Sequence, residues 1–298
     1  DAVKFQTFRA KDHVSKKSPG FEYLDKVDIH KLIKSLELNR TWQEDLQKHA
    51  LSLGVDFFSS PCDIDAIRSL EKLNVPAYKV ASFDITDDKL ITSIASTGKP
   101  IILSTGMATL MDIDLAVQSC KKVGNDQVAL LQCTSLYPAP ANLSNLLAMK
   151  TLRCAFSKVV GYSDHTIGIH IPIAAVAMGA SILEKHITLD KTLPGPDHNF
   201  AIEPKALREM MIQIREIESA FGDGLKNGPR EEEIEMAEKG RRSLHAKVDI
   251  KKGEIITDEM ISIKRPGKGI EPFMRKYVVG RAAVRDIEND HWITWDMI

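Results

Sequence analysis

The chain alternates between short apolar runs and amphipathic stretches from its first residues to about residue 221. The apolar runs are rich in Val, Ile, Leu and Phe and most end in Ser or Thr, which is typical of buried strands. They lie at 2–5, 55–60, 77–82, 100–105, 128–134, 158–163 and 181–188. Helical periodicity is found at 63–73, 86–96, 111–123, 144–156, 169–179 and 204–221. Regular alternation of strand and helix predicts a parallel sheet.

A closed barrel of this kind needs eight strands, and seven are visible. The chain starts at Asp1 without methionine and enters a strand almost at once, so we expect the missing strand and its helix to precede Asp1. A doubly wound open sheet is the rival, but no GxGxxG follows any strand. The predicted fold is therefore α/β, a (β/α)8 TIM barrel over 1–222 that lacks its first strand and helix.

The composition and the hydrophobic pattern change after the last predicted helix. Residues 223–240 are rich in Gly, Glu and Lys and are expected to form a linker, in which EEEIE at 231–235 is a solvated helix face. Residues 241–298 contain short alternating runs without room for crossover helices, which predicts a small β-rich domain. A domain of this size has little core of its own, so we expect it to lean on the barrel or on a second subunit.

Composition and charge favour a globular protein that binds neither nucleic acid nor membranes. The 43% of hydrophobic and 27% of charged residues are ordinary for a soluble globular chain, and a net charge of -1 offers no basic surface for nucleic acid. The four cysteines form no CxxC pair, which favours a reduced, cytoplasmic protein. No apolar run approaches the ~18 residues of a membrane helix.

One βαβ unit is predicted over 161–198 and carries two histidines. Its first strand ends at His165 and its second carries His186; because such a unit places its strands parallel, both side chains reach the same edge of the sheet. Two imidazoles with nearby carboxylates could hold a divalent cation. The candidate carboxylates are Asp164, Glu184 and Asp197. The structural alternatives are a helix cap for Asp164 and a core histidine held by Glu184 for His186.

Other polar residues stand at the predicted strand ends, which converge on one mouth in a barrel. Two lysines and a ring of hydroxyls suit an anion such as a phosphate or carboxylate. Lys79 lies inside an apolar strand, where a buried ammonium is costly without a negative partner, although it could instead snorkel to the strand end. The strand-end candidates are Lys4, Gln6, Lys79, Ser82, Ser104, Thr134, Ser135, Tyr137 and Ser163.

Seven motifs, in order and at matching intervals, carry a family resemblance. They are VKFQTF (3–8), YKVAS (78–82), ILSTGMA (102–108), CTSLYPAP (133–140), GYSDHT (161–166), EKHITLDKTLPGPDH (184–198) and KRPGKGI (264–270). The chain resembles the N-acetylneuraminate synthase family along essentially its whole length. That family includes the sialic, legionaminic and pseudaminic acid synthases, with a barrel followed by an antifreeze-like (SAF) domain.

The resemblance implies condensation of phosphoenolpyruvate with an N-acylated hexosamine to give a nine-carbon keto acid and phosphate. It implies that His165 and His186 bind a divalent metal, with Mn²⁺ as first choice and Mg²⁺ or Co²⁺ as alternatives. The implied substrate contacts are Lys4, Gln6, Lys79, Ser82, Ser104, Ser135, Ser163 and Arg265, and the candidate catalytic residues are His186, Asp84, Tyr137 and Asp197. Arg265 would reach the sugar from the partner subunit, which implies a domain-swapped homodimer.

Some positions depart from the family pattern. Phe83 and Asp84 stand where many sialic acid synthases have a small residue and glutamate, so Asp84 is a shortened acid/base candidate, and Ser135 replaces a common asparagine. SFD, FSSP and CTSxYP favour the pseudaminic branch, whereas VKFQTF and GPDH favour the sialic and legionaminic branch. The family's first-strand sugar motif is absent from this sequence, so one expectation is that this chain alone is inactive although its parent protein is an enzyme. A metal-dependent aldolase or hydrolase and a non-catalytic carbohydrate-binding protein are the other classes considered.

Overall fold

The computed structural model describes residues 1–20 and 27–298. The chain divides into two compact units, Asp1–Phe221 and Gly222–Ile298. Each unit is built around apolar side chains of its own. Within the described residues, no helix combines the length and the apolar character that a membrane crossing requires.

The first unit contains one parallel sheet whose strands follow one another in chain order. Its strands are β1 Ala2–Thr7, β2 Asp56–Pro61, β3 Tyr78–Val80, β4 Ile101–Ser104, β5 Val128–Cys133, β6 Val159–Asp164 and β7 Leu183–Lys185. All seven predicted strands are confirmed. The sequential order contradicts the doubly wound alternative, because that fold reverses its strand order at a switch point.

Helices connect successive strands; the six between residues 64 and 220 were predicted from the periodicity, whereas the three between the first two strands were not. They are α1 Ala10–His13, α2 Ile29–Ser35, α3 Gln43–Ser52, α4 Ile64–Lys72, α5 Asp88–Ala95, α6 Leu110–Lys122, α7 Ala148–Phe156, α8 His170–Ala177 and α9 Pro204–Ala220. Asp63 and Asp87 begin α4 and α5 by accepting backbone N–H groups of Ala66 at 2.7 Å and Leu90 at 2.9 Å. Such caps contribute about 1 kcal/mol each and fix where the chain turns from strand end to helix.

The sheet curls until side chains of its first and last strands meet. No ladder joins β1 to β7 in the described part of the chain, yet Lys4 Nζ lies 3.3 Å from Glu184 Oε2. Fully buried side chains such as Tyr78, Leu103 and Tyr162 fill the core between strands and helices. The fold is a TIM-like barrel of seven strands, which gathers the carboxyl ends of the strands at one rim; the eighth strand stays a prediction.

The second unit contains a short antiparallel pair, β8 Ser243–Ala246 and β9 Ile261–Lys264. In residues 241–298, the later apolar runs form isolated bridges, such as that between Ile250 and Ile287, and not continuous ladders. The region predicted as a linker contains α10 Ile234–Gly240, and the helix α11 Arg275–Val278 follows β9. Although small, the unit encloses a core of eleven buried residues.

Candidate active site

Two imidazoles lie together just beyond the ends of β6 and β7. The ring centroids of His165 and His186 are 5.2 Å apart, with the planes inclined at 68°. The Nδ1 of His165 lies 2.8 Å from the carbonyl oxygen of Thr134, and the Nδ1 of His186 lies 3.2 Å from Asp197 Oδ2. Each Nδ1–H donates to an oxygen, so each ring keeps the lone pair of its Nε2 for a ligand.

The charge state of His165 also suits a cation. Burial lowers the pKa of His165 to about 4, so its ring is neutral at pH 7, as metal ligation requires. Burial raises the pKa of Asp197, but the hydrogen bond from His186 and the nearby imidazoles outweigh it, so the net direction is downward. If each Nε2 lies about 2.1 Å from one cation, the ring centroids are roughly 4.6 to 5.3 Å apart. The observed 5.2 Å therefore fits a shared divalent metal.

Two aromatic rings line the histidines. The Tyr137 ring centroid lies 4.2 Å from that of His165, and the Phe200 centroid lies 5.2 Å from that of His186. Phe200 is 2% exposed and was missed at the sequence level, because it stands in an irregular loop with no periodic signal. Its place just after the GPDH motif was the one available clue.

A buried lysine of β3 contacts residues of the neighbouring strand β4 and of β7. Lys79 is 2% exposed; its Nζ donates to Ser104 Oγ at 2.7 Å and to the Val80 carbonyl at 3.0 Å, and lies 3.6 Å from Glu184 Oε1. Burial lowers the pKa of Lys79, and the Glu184 carboxylate opposes that effect. Lys79 therefore points inward with a negative partner, which answers the snorkelling alternative.

Glu184 is the common partner of this polar cluster. Its Oε2 lies 3.3 Å from Lys4 Nζ, and its Oε1 accepts a 2.7 Å hydrogen bond from Ser163 Oγ. Burial raises the pKa of Glu184, but Lys79 and Lys4 outweigh that effect and hold it at about 2. The carboxylate thus pairs with both lysines, whereas His186 is paired with Asp197, contrary to the core-histidine alternative. Two ammonium groups and one carboxylate leave a net positive charge, surrounded by hydroxyls, which is suited to an anion.

Two of the predicted serines meet at a glycine. Ser82 Oγ accepts a 3.0 Å hydrogen bond from the Gly106 backbone N–H. A Cβ at Gly106 would lie 2.3 Å from Ser135 Oγ and 2.9 Å from Ser82 Oγ, so only glycine lets both hydroxyls approach this backbone. Ser135 Oγ is buried and has no hydrogen-bond partner within residues 1–20 and 27–298, which leaves a polar atom available to a ligand.

Asp164 is turned away from the histidines. Its carboxylate lies 2.5 Å from Lys185 Nζ and accepts the Thr166 backbone N–H at 2.9 Å. In the register of β6 and β7, Asp164 pairs with Lys185 and Ser163 with Glu184, so the two pairs project to opposite faces of the sheet. Asp164 is therefore a structural residue and not the metal neighbour considered from the sequence.

Three further candidates do not join the histidine pair. Asp84 lies in a short 3₁₀ helix after β3, where Cys62 Sγ donates to its Oδ2 at 3.7 Å. Gln6 is exposed near the end of β1, on the face of the strand that carries Lys4. Arg265 is exposed and belongs to the second unit. The structure thus gathers the histidines, lysines and serines, and Asp84 interacts electrostatically with Lys79 of that group.

The fold and site together define an α/β barrel-type protein with an imidazole pair and a lysine-rich pocket at the carboxyl rim of its strands. The chain belongs to the NeuB family, whose pattern matches residues 1–226. Residues 241–298 match the SAF domain. Both matches confirm the resemblance found in the sequence motifs.

Several named relatives are similar to this chain over most of its length. An N,N'-diacetyllegionaminic acid synthase of Campylobacter jejuni is 41% identical over 302 residues, covering 98% of this chain and 90% of that protein. A pseudaminic acid synthase of Helicobacter pylori is 37% identical over 290 residues, covering 95% and 84%. The crystal structure of the Bacillus subtilis spore coat polysaccharide biosynthesis protein spsE superposes with a TM-score of 0.66 at 34% identity, covering 100% of this chain and 86% of that one.

Proposed function

We propose that this protein condenses phosphoenolpyruvate with the open-chain aldehyde of an N-acylated hexosamine, giving a nine-carbon, sialic-acid-type keto acid and inorganic phosphate. The observation that carries the proposal is the positively charged lysine and serine pocket beside two imidazoles with available Nε2 atoms. The names of the relatives support the same class of reaction.

Phosphoenolpyruvate would occupy the lysine pocket. Its phosphate and carboxylate are acceptors for ammonium and hydroxyl donors, and these charge-assisted hydrogen bonds are the stronger ones. Lys4, Lys79, Ser104 and Ser163 already form one connected polar network through Glu184. Because Lys79 is buried, its interaction with an anion is weakly screened by water. These donors hold the phosphate as it becomes the leaving group.

His165 and His186 would hold a divalent metal, with Mn²⁺ as first choice and Mg²⁺ or Co²⁺ as alternatives. When bound, such a metal supplies Lewis-acid polarisation of the sugar aldehyde. The hydrogen bonds of Thr134 and Asp197 fix the tautomer and orientation of the two rings before any ligand arrives. Imidazole ligands suit Mn²⁺ or Co²⁺ better than Ca²⁺.

Formation of the carbon–carbon bond precedes loss of phosphate. The enol carbon of phosphoenolpyruvate forms a bond to the aldehyde carbon, and the aldehyde oxygen gains a proton. Water adds to C2 and loses a proton; the bond from C2 to the phosphate oxygen then breaks, and the C2 hydroxyl becomes the ketone as its proton passes to the phosphate. Tyr137 and Asp197 line the histidine pair and are the candidates for positioning the sugar hydroxyls. Burial raises the pKa of Asp84, which suits a group that carries a proton, although no described contact links it to the histidines.

The proposal includes a homodimer in which Arg265 of a second copy reaches the sugar. Arg265 is exposed, as a residue that binds a ligand of another subunit would be. Mixing His186→Ala and Arg265→Ala chains tests this arrangement. Random pairing would restore roughly a quarter of wild-type activity, because one of the two sites in each hybrid is complete. Absence of any restoration, with hybrids verified by mass, would refute the swapped arrangement.

The reaction is tested by phosphate release from phosphoenolpyruvate, with protein expressed from the complete coding sequence. A 2,4-diacetamido hexosamine, as implied by the 41% identical relative, and N-acetylmannosamine are the first sugars to supply. We expect one phosphate per keto acid, with neither substrate consumed alone. Turnover of pyruvate in place of phosphoenolpyruvate would indicate an aldolase, and sugar binding without turnover would indicate a binding protein.

A further inference from the structure

A second group of metal-ligating side chains lies apart from the histidine pair. We propose that His13, Cys62 and Asp84 form a site for a thiophilic divalent cation of the Zn²⁺ class. It is the one cluster of three or more such ligands found in residues 1–20 and 27–298. It shares no residue with the imidazole pair.

The fold brings the three side chains from the ends of adjacent strands. His13 ends α1 after β1, Cys62 follows β2, and Asp84 closes the 3₁₀ helix Ser82–Asp84 after β3. One ligand atom from each lies within 4.8 Å of the others, and Cys62 Sγ is 3.7 Å from Asp84 Oδ2. In a tetrahedral zinc site, neighbouring ligand atoms are about 3.5 Å apart, so the cysteine and aspartate are already near the required spacing.

The backbone and ring contacts hold these ligands in place. The Cys62 backbone N–H donates to the Thr7 carbonyl at 3.1 Å, and the Asp84 N–H donates to Ala81 at 3.0 Å. The His13 ring stacks on Phe8, with centroids 5.7 Å apart. Small side-chain rotations, without movement of the strands, would bring the three ligand atoms around one ion.

The ligand set selects the metal. A thiolate with imidazole and carboxylate is the mixed donor set of zinc sites, whereas Mg²⁺ and Ca²⁺ prefer oxygen ligands alone. Three protein ligands leave a fourth position for water. In the protein without a cation, the Cys62 thiol donates to Asp84; the cation takes the place of that proton. The two metal sites therefore differ in preference, because only this one contains sulfur.

Zn²⁺ bound to His13, Cys62 and Asp84 would affect catalysis, an inference that rests on the proposed function. Asp84 is the candidate acid/base group of the condensation, and a carboxylate bound to zinc cannot transfer a proton. Zn²⁺ at this site would therefore inhibit turnover supported by Mn²⁺ at the imidazole pair. Substitution of Cys62 would remove the inhibition while leaving the imidazole pair unchanged.

Binding is tested without reference to activity. Co²⁺ titrated into the protein should produce a thiolate-to-cobalt charge-transfer band, which Zn²⁺ abolishes. The band should be lost in Cys62→Ser and kept in Cys133→Ser, the matched control whose sulfur lies 3.8 Å from His165 Nδ1. A band that survives in Cys62→Ser, or no band in the wild type, overturns the proposal.

A labelling experiment on the wild type guards against misfolding of the variant. Zn²⁺ should slow alkylation of Cys62, followed by mass spectrometry, while leaving exposed Cys154 unaffected. Equal labelling of Cys62 with and without Zn²⁺ overturns the site. If Cys62 is protected but no condensation occurs with any sugar, the site stands and the proposed function fails.

Discussion

Replacing Glu184 by glutamine removes the shared counter-charge of Lys4 and Lys79 while keeping the shape of the side chain. The carboxylate lies 3.3 Å and 3.6 Å from the two ammonium groups. With an effective dielectric constant of about 20, each pair interacts by about 5 kcal/mol before desolvation is considered. Lys4 is 20% exposed and can turn towards water, but Lys79 is almost fully buried.

The expected loss is therefore set mainly by Lys79. Breaking a buried pair by removing one partner costs about 3–5 kcal/mol, because the remaining charge is left without compensation. We expect Glu184→Gln to lower the free energy of unfolding by that amount at pH 7. Because burial already lowers the pKa of Lys79, the unfolded state of the variant binds more protons than the native state, so stability should rise towards alkaline pH.

Urea unfolding, followed by circular dichroism, measures this change. Exposed Glu209→Gln is the matched control and should change stability by less than about 0.5 kcal/mol. The double variant Glu184→Gln with Lys79→Met should recover most of the loss, because methionine has a similar volume to lysine and removes the unpaired buried charge. Inorganic phosphate should also stabilise Glu184→Gln more than the wild type, since the pocket then carries one more positive charge.

A loss as small as that of the control would show that Lys79 is not held by Glu184. A double variant no more stable than Glu184→Gln would show that the loss arises from packing and not from charge. Either result would refute the description of the lysine pocket.

Three further predictions concern individual residues. Gly106→Ala should raise KM for phosphoenolpyruvate at least tenfold, because its Cβ would collide with two serine hydroxyls, whereas Gly240→Ala, with open space around it, should not. Folding lowers the pKa of His165 from 6.5 to about 4, so the free energy of unfolding should fall by about 3 kcal/mol between pH 7 and pH 4. Urea unfolding at several pH values measures this change. The same dependence of unfolding free energy on pH in His165→Asn would contradict the prediction. Arg265→Ala should raise KM for the hexosamine and leave KM for phosphoenolpyruvate unchanged; equal effects on both would count against its sugar role.

The strands and the histidine pair could be predicted because their signals are local. Apolar runs of four to eight residues mark each strand, and the parallel strands of one βαβ unit bring His165 and His186 to the same edge of the sheet. The sequence predicted a strand over 181–188 that includes His186, whereas β7 ends at Lys185 and His186 lies in the loop that follows. The position of His186 beside His165 is unaffected, because the register of β6 and β7 is fixed by the residue pairs that precede His186.

The partners of each side chain could not be predicted in the same way. Glu184 was expected beside His186, but its lysines come from β1 and β3, which only the curl of the sheet brings close. Phe200 and Gly106 have no periodic signal, since one lies in a loop and the other matters through the space it leaves. Such contacts depend on distances across the barrel, which spacing along the chain does not encode.

The central claim is that one cation is held by both imidazoles beside an anchored phosphoenolpyruvate. Pulsed electron paramagnetic resonance of the Mn²⁺-loaded protein measures this directly, through nitrogen couplings to the metal and phosphorus couplings from the bound substrate. We predict two imidazole nitrogens in the wild type, one in His186→Ala, and a phosphorus coupling that appears when phosphoenolpyruvate is added. Couplings to water alone, or a nitrogen signal that is unchanged in His186→Ala, would contradict the account.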